Sequence, residues 1–455
     1  MLKKSQKIAL DLMLSGRNVF LSGEAGTGKS YVLRYFLDSV TKSKVLVCAP
    51  TGIAAINVCG ATIHRTFKAP IGPIVKDPVG VPDVVLEADI IIIDEISMCR
   101  CDLFDYVAKT IVDAEERTGK KKQLVVVGDF YQLPPVVTDQ DREVLEIAEG
   151  FAFQAKLWDY FNFEKVVLTE VVRQGDDVDF VTNLNAIRKG DSSCIAWVNE
   201  NAAKKENKGI HLCSTNKTAA DINNQAMRKL KGRVKKYVAI ESGEVTENDR
   251  ATAQELSLKP GTRVMMLVND KEDKYQNGSL GTISELDRDS LVVDLDNGAS
   301  VIVERHKWEI MKYEVKTFPS GEKKVEQTVI GTFIQFPIKV AYAITIHKSQ
   351  GQTYDSANLH PNCFAAGQLY VALSRVKSIK GLHLVNPIKD DYLITSQAVL
   401  NFYEDVRVQP VAAGHGGKRE GAGRKQKYNC ETTVMRVPAH MKAEIEKFIA
   451  ENLKM

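Results

Sequence analysis

Short apolar runs at residues 18–21, 45–48, 90–93, 124–127 and 165–168 punctuate the first part of the chain. Each is continuous rather than alternating, the pattern of a strand buried on both faces of a parallel sheet. After the first run, Val32, Leu33, Phe36, Leu37 and Val40 recur at helical spacing. Strand, loop and amphipathic helix make one αβ unit. A second αβ region is predicted from a strand at 209–214 and a helix over 219–230. It resumes at 340–346, 357–359 and 382–385. Between its two pieces the pattern changes. Runs at 264–268, 281–286, 291–295 and 300–304 alternate, and Asn277-Gly278 and Asn297-Gly298 part them. Such spacing predicts a small β-barrel at 259–316 inserted into the second αβ domain.

The resulting division is a first αβ domain at 1–172, with a small Pro- and Gly-rich segment at 68–82, and a second at 173–258 and 317–406. A basic linker at 407–430 and a strand-helix tail at 431–455 follow. In the tail, 432–437 alternates as one strand, and Met441, Ile445, Phe448 and Ile449 share a helical face. It is like the front half of a ribbon-helix-helix module, which raises tail-mediated dimerisation as an alternative to a monomer and to a loosely docked basic tail.

Composition narrows the class. At 455 residues the chain suits about three domains. No apolar run reaches the ~18 residues that span a membrane, and Met1-Leu2-Lys3-Lys4 passes into a helical pattern without a cleavage site. Eight cysteines with no CxxC pair are expected as reduced thiols in a cytoplasmic protein of bacterial or phage type. Net charge is only +3, and nine Lys/Arg against five Asp/Glu from His415 onward leave the body near −1. Any groove for a polyanion must therefore come from local placement.

The chemistry begins at Gly23-Glu24-Ala25-Gly26-Thr27-Gly28-Lys29-Ser30, a phosphate loop between strand and helix. Gly23, Gly26, Thr27 and Gly28 turn backbone N–H groups toward a phosphate. Lys29 reaches the β- and γ-phosphates, and the Ser30 hydroxyl ligates Mg²⁺. Asp94 and Glu95 end the Ile90–Ile93 run. Two adjacent carboxylates at a buried strand end suit a cation, with Asp94 on the metal side and Glu95 polarising the attacking water. Gln132, in Gly128-Asp129-Phe130-Tyr131-Gln132-Leu133-Pro134-Pro135, is a candidate sensor of the γ-phosphate. Arg173 and Arg375 are candidate partners for its charge. ATP and Mg²⁺ are the expected cofactors.

Several motifs occur in order: Ala49-Pro50-Thr51-Gly52-Ile53-Ala54-Ala55, Ala61-Thr62-Ile63-His64, Asp94-Glu95-Ile96-Ser97-Met98, the Gly128–Pro135 motif, Thr345-Ile346-His347-Lys348-Ser349-Gln350-Gly351-Gln352-Thr353 and Tyr370-Val371-Ala372-Leu373-Ser374-Arg375. Together with the phosphate loop they resemble the PIF-type helicase family, in the RecD-like branch of superfamily-one helicases, over residues 1 to about 406. The resemblance implies an α/β fold of two RecA-like parallel-sheet domains with ATP in the cleft between them. It also implies an inserted small Src-homology-type β-barrel, beside which the basic C-terminal tail is extra. It implies that Gln6 reads adenine and that Gly351 lies against the nucleotide. Arg173 would reach the γ-phosphate, and Arg375 would do so from across the cleft. Thr51, Thr62, His64 and Phe67 would line single-stranded DNA in the first domain, and Thr345, His347 and Lys348 in the second. The family is associated with 5′→3′ movement on single strands and with tailed or forked duplexes. A translocase that remodels protein-DNA complexes, or a nucleotide-switch ATPase acting on protein, stays open as an alternative.

Overall fold

The structure, a computed structural model, describes residues 2–170, 177–270, 272, 274–317 and 323–407. Arg173, the linker from 408 on and the strand-helix tail lie outside the described residues. The first sheet comprises β1 (Val19–Gly23), β2 (Val45–Ala49), β3 (Ala61–Thr62), β4 (Ile90–Ile93), β5 (Gln123–Val127) and β6 (Glu164–Leu168). Its spatial order is β3-β2-β4-β5-β1-β6, parallel throughout. Every residue of β1, β4 and β5 is buried, as their unbroken apolar runs require. Because the strands run one way, the loops after β1, β4 and β5 all open at the same edge of the sheet.

The next strand, β7 (Ile210–Cys213), begins a second sheet, and the helix Asn216–Lys229 follows it. The chain then leaves that sheet for an antiparallel excursion. It runs through β8 (Lys235–Val238), β9 (Ile240–Gly243), β10 (Glu255–Leu258), β11 (Arg263–Met266), β12 (Leu280–Leu286), β13 (Ser290–Leu295), β14 (Ser300–Glu304), β15 (His306–Thr317), β16 (Lys323–Gln335) and β17 (Ile338–Val340). Five of these form a sheet in the order β14-β13-β12-β11-β17, and β10 pairs with β8. Tyr237, Leu256 and Leu258 of the small pair share a core with Val264, Ile283, Val293 and Val303 of the large sheet. The long β15–β16 hairpin, joined by β9, is a feature the sequence pattern did not predict. It reaches back to the first sheet, where the Val47 N–H donates to the Tyr313 hydroxyl at 3.0 Å.

Strands β18 (Ala343–Thr345), β19 (Ala357–Leu359) and β20 (Leu382–Leu384) complete the second sheet, in the parallel order β18-β7-β19-β20. The run predicted as one strand at 340–346 is two. Val340 closes β17 in the antiparallel sheet, and Ala343 opens β18 in the parallel one. Ala25 and Leu133, from loops of the first sheet, share a core with Phe180, Leu212, Ile344 and Leu359 around the second. No helix among the described residues is long and apolar enough to cross a membrane.

Candidate active site

The phosphate loop follows β1 directly. Gly26 and Gly28 adopt φ of +83° and +85°, a region that costs an L side chain about 1–2 kcal/mol. Gly28 also opens the helix Lys29–Ser39, so that helix's first N–H groups face the loop. Lys29 Nζ donates to the carbonyls of Gly23 at 2.7 Å and Glu24 at 3.2 Å. Burial lowers its pKa, against the opposing pull of Asp129 and Glu95. Thr27 is buried and donates its hydroxyl to the Glu24 carbonyl at 2.9 Å. Gln6, on the helix Lys4–Leu14, is 3% exposed and donates to the Thr27 carbonyl at 2.9 Å. A Cβ on Gly28 would meet that amide at 2.7 Å, so loop and Gln6 pack without slack.

Asp94 and Glu95 emerge at the end of β4. Glu95 has φ of +51°, left-handed backbone for a residue with a side chain, and it lines the same cleft as Lys29. Burial raises the pKa of Asp94 and, with Asp94 beside it, raises that of Glu95 to about 7, while Lys29 and Arg375 pull Glu95 down. Ser30, Asp94 and Glu95 line one groove of about 320 Å³. A hydroxyl and two carboxylates whose charge burial opposes are a fitting oxygen set for a divalent cation.

Gln132 is buried beside them. Its side chain accepts a hydrogen bond from Gln350 Nε2 at 3.2 Å, and the same Nε2 donates to Glu95 Oε2 at 3.2 Å. Gln350 lies in the loop after β18, so one amide from the second sheet touches both groups of the first. Sequence reasoning assigned it no role, although it stands next to Gly351. Its own Oε1 is buried without a hydrogen-bond partner among the described residues.

Arg375 and Gly351 come from the second sheet's side. With Gln6, Gly26, Gly28, Lys29, Ser30, Glu95 and Gln132 they line one cleft of about 600 Å³. That volume suits a nucleotide-sized ligand. Arg375 is 1% exposed and donates to the carbonyls of Val371, Ser349 and Gln352. Gly367 fixes the approach of the two sides. Its φ is +69°, and a Cβ there would lie 2.3 Å from the Tyr131 oxygen and 2.5 Å from that of Gln132. Gly367→Ala is expected to lose more than the about 1–2 kcal/mol of the left-handed term alone in a urea titration. A smaller loss would mean that the two segments part easily.

The residues matched to a DNA path are less gathered. Thr51 and Thr62 cap the helices Gly52–Asn57 and Ile63–Phe67, their hydroxyls accepting from Ala54 N–H and Arg65 N–H, both at 3.3 Å. His64 and His347 are half-buried, and burial lowers the pKa of each. Thr345 is buried and accepts from the Lys348 N–H at 3.4 Å. Lys348 is exposed, and lines both the groove of Asp94 and Glu95 and a neighbouring cavity of about 830 Å³. Phe67 is a correction. At 1% exposure its ring is enclosed by the core, so it presents no face for a base to stack on.

A phosphate loop, a paired-carboxylate strand end and an arginine facing them from a second parallel sheet define a phosphate-loop nucleoside triphosphatase. The family model of PIF1-like helicases matches residues 1–199. The ATP-dependent DNA helicase Pif1 of Bdellovibrio bacteriovorus is 30% identical over 436 residues, covering 89% of this chain and 92% of that protein. The chain belongs to the PIF1-like helicase family. Among solved structures, Bacteroides Pif1 in complex with ADP-AlF4 is 33% identical with a TM-score of 0.79, covering 90% of this chain and 97% of that one. Bacteroides Pif1 bound to single-stranded DNA, with the same identity and coverage, gives 0.64.

Proposed function

We propose that the chain is an ATP- and Mg²⁺-dependent DNA helicase that moves 5′→3′ on single-stranded DNA and opens tailed or forked duplexes. The observation that carries this reading is the shared cleft. Lys29 and Ser30 face it from the first sheet, Arg375 and Gly351 from the second. A group that both sheets must grip ties their approach to the nucleotide state. The likeness to relatives named as ATP-dependent DNA helicases supports it.

In this mechanism Lys29 and the loop N–H groups hold the β- and γ-phosphates. Ser30 and Asp94 would hold the metal. Glu95 takes the proton of the attacking water, which the Gln132 amide orients. Arg375, and Arg173 by the same resemblance, meet the charge that develops on the transferred group. When bound, magnesium-ATP supplies the electrophilic phosphorus and the leaving group. Lys348, exposed at the end of the same loop as Gln350, is placed to hold a DNA phosphate. Thr51, Thr62, His64, Thr345 and His347 are retained as contacts of a strand in a DNA-engaged state. The sheet β14-β13-β12-β11-β17, which holds most of the segment 259–316, is read as the Src-homology-type barrel, and the basic tail as an accessory DNA contact.

The test measures ATPase with and without oligo-dT, then unwinding of duplexes with a 5′ or a 3′ tail. Stimulation by oligo-dT, unwinding only from a 5′ tail, and loss of both in Lys29→Ala are expected. ATPase indifferent to oligo-dT would reject the DNA motor, stimulation without unwinding would favour a translocase, and a 3′ preference would reverse the direction.

A further inference from the structure

We propose that Arg188 is a positioning residue for ATP hydrolysis, holding Asp129 and, through the turn that Asp129 organises, the amide of Gln132 in the cleft. The proposal rests on reading Gln132 as the amide beside the γ-phosphate. Arg188 ends the helix Val178–Arg188, whose Phe180, Leu184 and Ile187 pack in the core around the second sheet. Its guanidinium crosses to the first sheet's loops, where Nη2 donates to Asp129 Oδ1 at 2.8 Å. It also lies 4.2 Å from the centre of the Tyr131 ring, a cation–π contact out of water.

Asp129 also accepts the Tyr403 hydroxyl at 3.5 Å and organises the turn that follows. Its Oδ1 accepts the Tyr131 N–H at 3.2 Å, its Oδ2 accepts Gln132 Nε2 at 3.4 Å, and its carbonyl accepts the Gln132 N–H at 2.9 Å. Arg188 is therefore one residue removed from the sensor amide. Its other nitrogen, Nη1, is 4.0 Å from Glu24 in the phosphate loop. Nearby, the Ala25 N–H of that loop donates to the Tyr370 hydroxyl at 3.1 Å. One side chain thus spans the helix of the second sheet, the sensor turn and the phosphate loop.

Stability is a weak reason for this arrangement. A buried ion pair returns little net free energy compared with apolar side chains of the same volume. Arg188 Nε is moreover buried without a hydrogen-bond partner among the described residues, a cost that a purely structural site tends to avoid. What the pair does supply is a fixed direction for the Asp129 carboxylate, and so for Gln132. A displacement of about 1 Å at such a group can cost about 10²-fold in rate.

The experiment is a double-substitution cycle on oligo-dT-stimulated ATPase, with thermal unfolding and ADP affinity measured on each protein. Arg188→Met is expected to lower kcat by about 10–100-fold, while ADP affinity changes by less than about threefold. In a Gln132→Ala background the same substitution is expected to cost less than about twofold, because the group it positions is gone. Equal losses in both backgrounds would overturn the role of Arg188 and leave that of Gln132 standing. Full activity in Gln132→Ala alone would overturn both. If Arg188→Met does not fold, Arg188→Met with Asp129→Asn leaves no unpaired buried carboxylate. Its comparison with Asp129→Asn, in both backgrounds, decides the same question.

Discussion

Glu95→Gln is expected to lower the oligo-dT-stimulated turnover number by about 10²–10⁴-fold, the range for losing a general base. That is about 3–5 kcal/mol of transition-state stabilisation. The substitution keeps the side chain's shape and its reach to Gln350, 3.2 Å away in the native protein. It removes the negative charge and with it the ability to take a proton. ATP affinity, measured by fluorescent-nucleotide titration, should be unchanged or tighter, because Lys29 and the loop carry binding and a carboxylate that opposes a polyanion has gone. The arrangement around Glu95 makes the prediction sharp. Burial and Asp94 push its pKa up to about 7, while Lys29 and Arg375 act to keep it ionised. A carboxylate held near neutrality is a competent base, whereas a merely solvated acid would have no such balance. A turnover number within about threefold of native would remove Glu95 from the chemistry and leave the orientation of water to amides such as Gln132.

How much of this was legible in the sequence depends on the range of the interactions. Ile90–Ile93 reads as a strand buried on both faces, and all four residues are buried. Its local pattern and its tertiary setting agree. The β15–β16 hairpin was not legible for a local reason. Trp308 and Ile310 are buried two positions apart, but the next buried aromatic is Tyr313, three further on, past the point where Ile330 of β16 is left out of the ladder. An alternation that changes phase within twelve residues gives no clean period of two. Phe67 failed differently. An aromatic at the end of a short helix reads alike whether its ring is covered or open, and only the packing around it decides. Arg188 and Gln350 were hidden by distance along the chain. Arg188 meets a carboxylate 59 positions earlier, and Gln350 meets one 255 positions earlier. Such pairs exist only once the two sheets are placed together. The phosphate loop is the opposite case, since its function is set by eight consecutive residues whose backbone does the work.

If Arg375 meets the γ-phosphate from the second sheet as proposed, its replacement should be costly in both chemistry and movement. Arg375→Ala is expected to reduce turnover by about 10³-fold or more, the range for an arginine facing a transferring phosphoryl group. Arg375→Lys should recover little of it. The native side chain directs Nε to the Val371 carbonyl at 2.8 Å and Nη1 to the carbonyls of Ser349 and Gln352 at 3.2 and 3.1 Å. Nη2 reaches the Ser374 hydroxyl at 2.8 Å. A lysine is a point donor and cannot hold that planar set. Two of those carbonyls flank Gln350 and Gly351, so the same guanidinium that lines the cleft also staples the loop carrying Lys348. Loss of that staple takes the Arg375 donor from the Gln352 carbonyl, at about 1–3 kcal/mol, while the Ser349 and Val371 carbonyls keep the Gln352 N–H and the Ser374 hydroxyl, and the unfolding temperature should fall. Turnover is therefore compared per folded molecule, with single-stranded DNA affinity measured alongside. If Arg375 links the two functions, Arg375→Ala loses turnover and the dependence of DNA affinity on bound nucleotide together. A variant that keeps nucleotide-dependent DNA affinity while losing turnover would confine Arg375 to the chemistry. One that keeps turnover per folded molecule would show that the cleft closes on the γ-phosphate without it, and the coupling would have to run through Gln350 instead.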